Sequence, residues 1–152
     1  MDDLTRFDLA QFDTYETALA ELQQGRKVTH WMWFIFQELR ALGRSSTAKF
    51  YGIADLNEAR AYLADPDLGP RLTEACQAVL SHRGQSAEQI FGKVDALKLR
   101  SCATLFCEAA EDDAMREVFH AIIADFYAGK PCVATLDQLK GTSVHHLTQG
   151  SL

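Results

Sequence analysis

Basic charge is scarce in this chain. Fifteen Lys and Arg stand against 21 Asp and Glu, a formal net charge of −6 with His neutral. Broad nucleic-acid binding needs clustered Lys and Arg to displace counterions, so no nucleic-acid partner is expected, a local basic patch aside. Long apolar runs are missing too. The longest, Trp31 to Phe36, has six residues, where a membrane span needs about 20. The start, Met1-Asp2-Asp3-Leu4, has neither the basic nor the apolar region of a signal peptide. Together these predict a cytoplasmic protein with no membrane partner. The three prolines, Pro66, Pro70 and Pro131, interrupt no strong periodic run.

The four cysteines, Cys76, Cys102, Cys107 and Cys132, include no CxxC pair. In a reducing compartment they are expected as free thiols. Cys102 and Cys107 are five apart, nearly opposite sides of a helix with about 3.6 residues per turn. No histidines have HExxH spacing, and His145-His146 fall in a polar tail. Neither a metal nor a cofactor is expected. The chain also lacks a GxSxG elbow, a phosphate-cradling Gly-rich loop and a dinucleotide fingerprint.

What is present is a globular composition. In 152 residues, 47% are hydrophobic and 24% charged, which suits one domain with a sizeable core. The clearest element is Asp112 to Phe126, where Met115, Val118, Phe119, Ile122, Ile123 and Phe126 share one helix face. Asp112 and Asp113 favour its dipole, and Gly129 and Pro131 end it.

Four other segments read as helices. Tyr15, Ala18, Leu19 and Leu22 form a stripe that starts at Asp13 and Glu16, at capping-box spacing, and stops at Gly25. Asp55 and Glu58 repeat that start before Leu56, Ala59 and Leu63, with Pro66 as the stop. Asp67-Leu68-Gly69-Pro70 opens a helix carrying Leu72, Cys76 and Val79 before Gly84. Asp95 opens Ala96 to Ala110, whose second half is apolar nearly all round, as in a helix covered on several sides. Shorter turns are expected after Ser86 (capped with Gln89), over Thr47 to Tyr51, and over Leu136 to Lys140 with Thr135 as cap. With no repeat or dividing linker, the expected fold is all-α: a compact single-domain multi-helix orthogonal bundle over residues 1–140, with a flexible tail over 141–152.

The segment His30-Trp31-Met32-Trp33-Phe34-Ile35-Phe36 has high strand propensity but runs into a helical-looking Gln37 to Leu42. Periodicity does not separate a buried helix from a buried extended stretch. The reading here is an extended or irregular lead-in followed by a helix.

Two segments carry the candidate chemistry. In the first, Lys27 and His30 flank the only two tryptophans, Trp31 and Trp33. Indoles supply flat apolar walls with one N–H donor each, and His and Lys can hold an anion. In the second, Asp95, Lys98 and Ser101 form a polar strip on early helical turns, with Arg100 beside it. Cations so near a helix start are unfavourable unless an acidic partner or an anion offsets them. Trp31 and Trp33 can equally be core, with Lys98 paired to Asp95; core is the commoner role for aromatics. The cysteines on apolar faces read as small hydrophobes rather than nucleophiles. The run Glu108, Glu111, Asp112 and Asp113 reads as a solvated helix junction rather than a metal platform.

These residues also carry a resemblance. Gly25-Arg26-Lys27, His30-Trp31-Met32-Trp33-Phe34-Ile35-Phe36, Leu42-Gly43-Arg44-Ser45, Ala59-Arg60-Ala61-Tyr62-Leu63, Leu68-Gly69-Pro70-Arg71-Leu72, Ile90-Phe91-Gly92 and Lys98-Leu99-Arg100-Ser101 with Thr104-Leu105-Phe106 resemble, in order, the bacterial family catalogued as domain of unknown function 1810. Some of its members are mislabelled calpastatin. The resemblance spans about residues 4 to 140. It implies one compact all-helical domain, and it brings no activity, substrate or catalytic residue. Gln37-Glu38 stand where the family typically has Pro-Gln, and Cys102-Ala103 where Ser-Met is common.

The function expected is binding of a small molecule or anion. Lys98 and Arg100 would hold a phosphate or carboxylate near Ser101, Trp31 or Trp33 would form the wall, and His30 would be the hydrogen-bond partner. In an enzyme, His30 would be the general base, its ordinary pKa lying near working pH. The alternative is a protein–protein interaction module. Oligomeric state is not legible.

Overall fold

The computed structural model describes residues 4–141. Among them it holds helices and no strand. The helices are α1 (Thr5–Gln23), α2 (Met32–Ile35), α3 (Ser46–Phe50), α4 (Leu56–Ala64), α5 (Leu68–Leu80), α6 (Ala87–Phe91), α7 (Lys93–Ala109) and α8 (Asp113–Phe126). Residues 133–141 form a ninth helical stretch, α9. The all-α reading therefore holds. The tail expected over 141–152, with His145-His146, lies outside the described residues beyond Gly141.

Several starts form as their sequence signals predict. Asp55 accepts the Glu58 N–H at 2.9 Å and Asp112 the N–H groups of Ala114 and Met115. Ser86 and Gln89 complete a capping box. These side chains satisfy N–H groups that a helix start leaves without partners. At α5 the cap is displaced: Asp65, not Asp67, accepts the N–H groups of Asp67 and Leu68. Gly25, at φ +78°, ends α1, with the Arg26 N–H on the Glu21 carbonyl and the Gly25 N–H on that of Leu22.

Three expectations are corrected. α1 begins at Thr5, two turns before Asp13. Its buried stripe, Phe7, Gln11, Ala18 and Leu22, contains a glutamine; Gln11 donates to the Phe34 carbonyl and the Tyr62 hydroxyl. An apolar-only pattern passes over such a residue. Second, the aromatic segment is the reverse of the expectation: Met32–Ile35 is a short α-helix where the sequence suggests an extended or irregular lead-in, and 37–42 is not an α-helix. Leu39 is extended and bridges Ile53, with N–H···O bonds from Arg40 to Ile53 and from Ile53 to Glu38; only Arg40–Leu42 coils, as a 3₁₀ turn. A tertiary backbone pairing overrides local helix preference there. Third, Thr135 lies inside α9 and is buried, and Cys132 precedes the helix, its carbonyl accepting the Leu136 N–H.

α7 is the centre. Ser101 to Phe106 are all buried, and the helix packs on α4, α6 and α8. Phe106 meets Tyr62 of α4 at 5.3 Å and Phe119 of α8 at 5.8 Å between ring centroids. α5 fills the space between α1, α4 and α8. All four cysteines are free, and burial pushes the thiols of Cys76 and Cys102 well up, as for small hydrophobes in a core.

The loop between α1 and α2 hangs on one carboxylate. Glu21 accepts from the N–H groups of Val28 (2.7 Å) and Thr29 (3.0 Å), the Thr29 hydroxyl (2.6 Å) and Trp31 Nε1 (2.8 Å). Burial raises its pKa, but these four donors outweigh burial and hold it at about 2.

Two measurements check this architecture. A Cβ on Gly69, in the first turn of α5, would stand 2.2 Å from the Leu63 carbonyl oxygen of α4, so Gly69→Ala is expected to cost about 1–3 kcal/mol by urea unfolding; an unchanged midpoint would mean the two helices can part freely. Glu21, depressed from 4.5 to about 2, stabilises the fold fully above pH 4.5 and loses that contribution as pH falls towards 2. Glu21→Gln should therefore lower Tm at pH 7, and the gap to the parent should narrow on acidification through that window.

Candidate functional site

The site is built where the loop after α1 meets the first turns of α7. Lys27 folds inward, its side chain only 8% exposed, and its ammonium lies 3.0 Å from Asp95, 2.8 Å from the Thr29 carbonyl and 5.2 Å from the centre of the Trp31 ring. The other Asp95 oxygen takes Lys98 at 3.3 Å. Asp95 thus supplies the acidic partner that two cations near a helix start require. Lys98 also lies 4.8 Å over the Trp33 ring, within cation–π range.

The six residues selected from the sequence separate. Trp31 is core, 1% exposed and packed against Phe36 and Phe91. Trp33 is half-buried and faces Lys98. Arg100 turns away, donating to the Lys130 carbonyl at 2.8 Å and lying over the Tyr127 ring. His30 is exposed, with no side-chain partner among the described residues. Ser101 is buried; its hydroxyl bonds the Leu97 carbonyl and Cys132 Sγ, each within 3.3 Å. Trp33 and Lys98 therefore come together, Ser101 lies one turn further along α7 behind Lys98, and His30, Trp31 and Arg100 do not join them.

The residue that joins the three is Glu38, missed while 37–42 was read as helix. The Ile53 N–H donates to its carbonyl, and its side chain lines the same hollow as Trp33 and Lys98. Burial raises its pKa; the Lys98 charge and the Ser101 hydroxyl pull the other way without cancelling the rise. A hollow of about 10 Å³ is lined by Trp33, Gln37, Glu38, Tyr51 and Lys98. That is room for one water. Gln37 Oε1 is buried without a hydrogen-bond partner among the described residues. Beyond Ser101, Cys132 is half-buried. Burial raises its pKa, but the hydroxyls of Ser101 and Thr135 and the N–H groups of Ala134 and Thr135 outweigh it and lower the thiol overall.

Carboxylate oxygens of Asp8, Asp65 and Asp67 lie within 4.8 Å of one another, but Asp8 is paired with Arg71 and Asp65 holds the start of α5. The junction acids have structural roles as well, Asp112 as cap and Asp113 as partner of Arg116. A cleft of about 510 Å³ lies elsewhere and includes none of the six selected residues.

Comparison with known proteins supplies kinship without chemistry. The family model described as "Protein of unknown function (DUF1810)" matches residues 1–139. Among solved structures, the conserved hypothetical protein Rv1873 from Mycobacterium tuberculosis is similar at 46% identity and a TM-score of 0.88, covering 91% of this chain and 97% of that one. No curated protein matches. The family match runs through the aromatic segment, α7 and most of α9, so these elements are part of the shared fold. The chain belongs to the DUF1810 family of proteins of unknown function.

Proposed function

We propose that the protein binds a small anionic molecule at the corner formed by Trp33, Glu38 and Lys98. One observation carries this reading. Lys98 is held on an aromatic plate beside a half-buried carboxyl whose pKa is raised. A perturbed acid next to a fixed cation is a frequent mark of a binding or catalytic site. The hollow is too small for a ligand to enter. The anion therefore sits across its mouth, its charged head on Lys98 Nζ and its flat or apolar part on Trp33. Protonation of Glu38 removes the negative charge that competes for Lys98, so affinity rises as pH falls through the Glu38 pKa.

Of the residues first selected, Trp33 and Lys98 keep direct roles and Ser101 orients Glu38. His30 is at most a peripheral contact, and neither Trp31 nor Arg100 faces the ligand. A bacterial, cytoplasmic setting belongs to the same proposal, supported by the mycobacterial relative and four free thiols. No helix among the described residues is long and apolar enough to cross a membrane. The docking-module alternative has less support, because the exposed large apolar residues are spread over several elements: Leu9 and Phe12 on α1, Phe50 on α3, Val94 and Leu97 on α7.

A thermal-shift screen of phosphates and carboxylates tests the reading. At a hundredfold excess over Kd, a native-state ligand adds about 2.7 kcal/mol, which in a domain of this size raises Tm by about 5–10 °C. Lys98→Ala should abolish that rise. Glu38→Gln should strengthen binding at neutral pH and flatten its pH dependence. A rise retained in full by Lys98→Ala would remove this site from consideration.

A further inference from the structure

The cleft of about 510 Å³ and the Lys98 corner share no lining residue. Its floor is apolar. Leu39 is buried, and Leu56 and Leu139 are partly buried against the core. Its volume lies in the range of about 300–1,000 Å³ typical of small-molecule sites.

Its rim carries two cations and two carboxylates, which differ in how far they are already committed. Arg60 and Lys140 are exposed, and among the described residues neither side chain has a hydrogen bond or an ion pair. On the acidic side, Asp55 is committed as the cap of α4. That leaves Glu108, likewise without an ion pair among the described residues. Two free cations face one free carboxylate above a leucine floor. Arg60 lies one turn beyond Leu56 on the same face of α4, and Lys140 directly follows Leu139 on α9. Each cation is therefore adjacent to a floor residue, so one molecule can touch both.

From this we infer a second ligand site, specific for an amphipathic monoanionic acid. Its apolar body covers Leu39, Leu56 and Leu139, gaining from the apolar area removed from water. Its single carboxylate takes the Arg60 guanidinium, whose fork matches two oxygens, with Lys140 adding charge. A neutral molecule of the same shape leaves Arg60 unmatched, and a dianion meets Glu108.

Titration with the fluorescent dye anilinonaphthalenesulfonate, an apolar ring system with one anionic group, tests this on the folded protein. The expected result is a saturable one-to-one rise in emission that decanoate reverses. Decanol, with the same tail and no charge, should compete at least about tenfold more weakly, the order expected for one charge-assisted hydrogen-bonded contact. Arg60 is exposed, so Arg60→Gln should leave Tm unchanged while weakening decanoate about tenfold. Lys98→Ala should change neither dye nor decanoate binding, which separates this site from the one proposed above. The inference is overturned if dye binding does not saturate, if decanol competes as well as decanoate, or if Arg60→Gln binds as the parent does. Loss of decanoate binding in Lys98→Ala would overturn it too, by assigning the acid to the other corner.

Discussion

The requirement that the middle of α7 be covered on every side shapes the whole molecule. Six consecutive residues, Ser101 to Phe106, are buried; a helix can hide all its faces only when other elements surround it. α4 and α8 close on it through Tyr62, Phe106 and Phe119. α5, carrying Leu72, Cys76 and Val79 inward, is the second layer behind them. Towards its start the cover changes character. There α7 meets α6 and the aromatic segment around α2, and its half-buried Asp95 and Lys98 face Lys27 and Trp33. The candidate site lies at that change, where charged side chains of a helix face irregular backbone.

Irregular backbone beside a core creates its own demand, because buried N–H and C=O groups need partners. Polar side chains from elsewhere meet it. Glu21 takes the donors of residues 28, 29 and 31. Gln11 and Gln37 both donate to the Phe34 carbonyl. The pairing of Leu39 with Ile53 holds the next stretch extended. These contacts place Trp31 in the core and leave Trp33 half-open beside Lys98. They also bring Glu38 in from solvent, which is why its carboxyl resists ionisation.

Much of the fold was legible in the sequence because its signals are local. Capping residues such as Asp55, Ser86 and Asp112 act within three residues of themselves, and the stripe on α8 is written in a single helix. What was not legible depends on distant partners. The early start of α1 rests on Phe7 against Tyr62 and on a buried Gln11 that hydrogen-bonds across the core. Of the candidate site, Trp33, Lys98 and Ser101 were found from residue type and spacing. Glu38 was not, since the backbone pairing with Ile53 brings it to them.

The sequence by itself determined a helical domain, where most of its helices begin and end, and membership of a family through the aromatic block. Those follow from short-range hydrogen bonding and from a hydrophobic period that one helix carries alone. Only the tertiary structure decided which tryptophan is core and which is surface, that Arg100 faces Tyr127 rather than Lys98, and that Arg60 and Lys140 share a cleft across α4 and α9. Each of these is a meeting of residues from separate elements, and the packing around α7 sets how those elements lie.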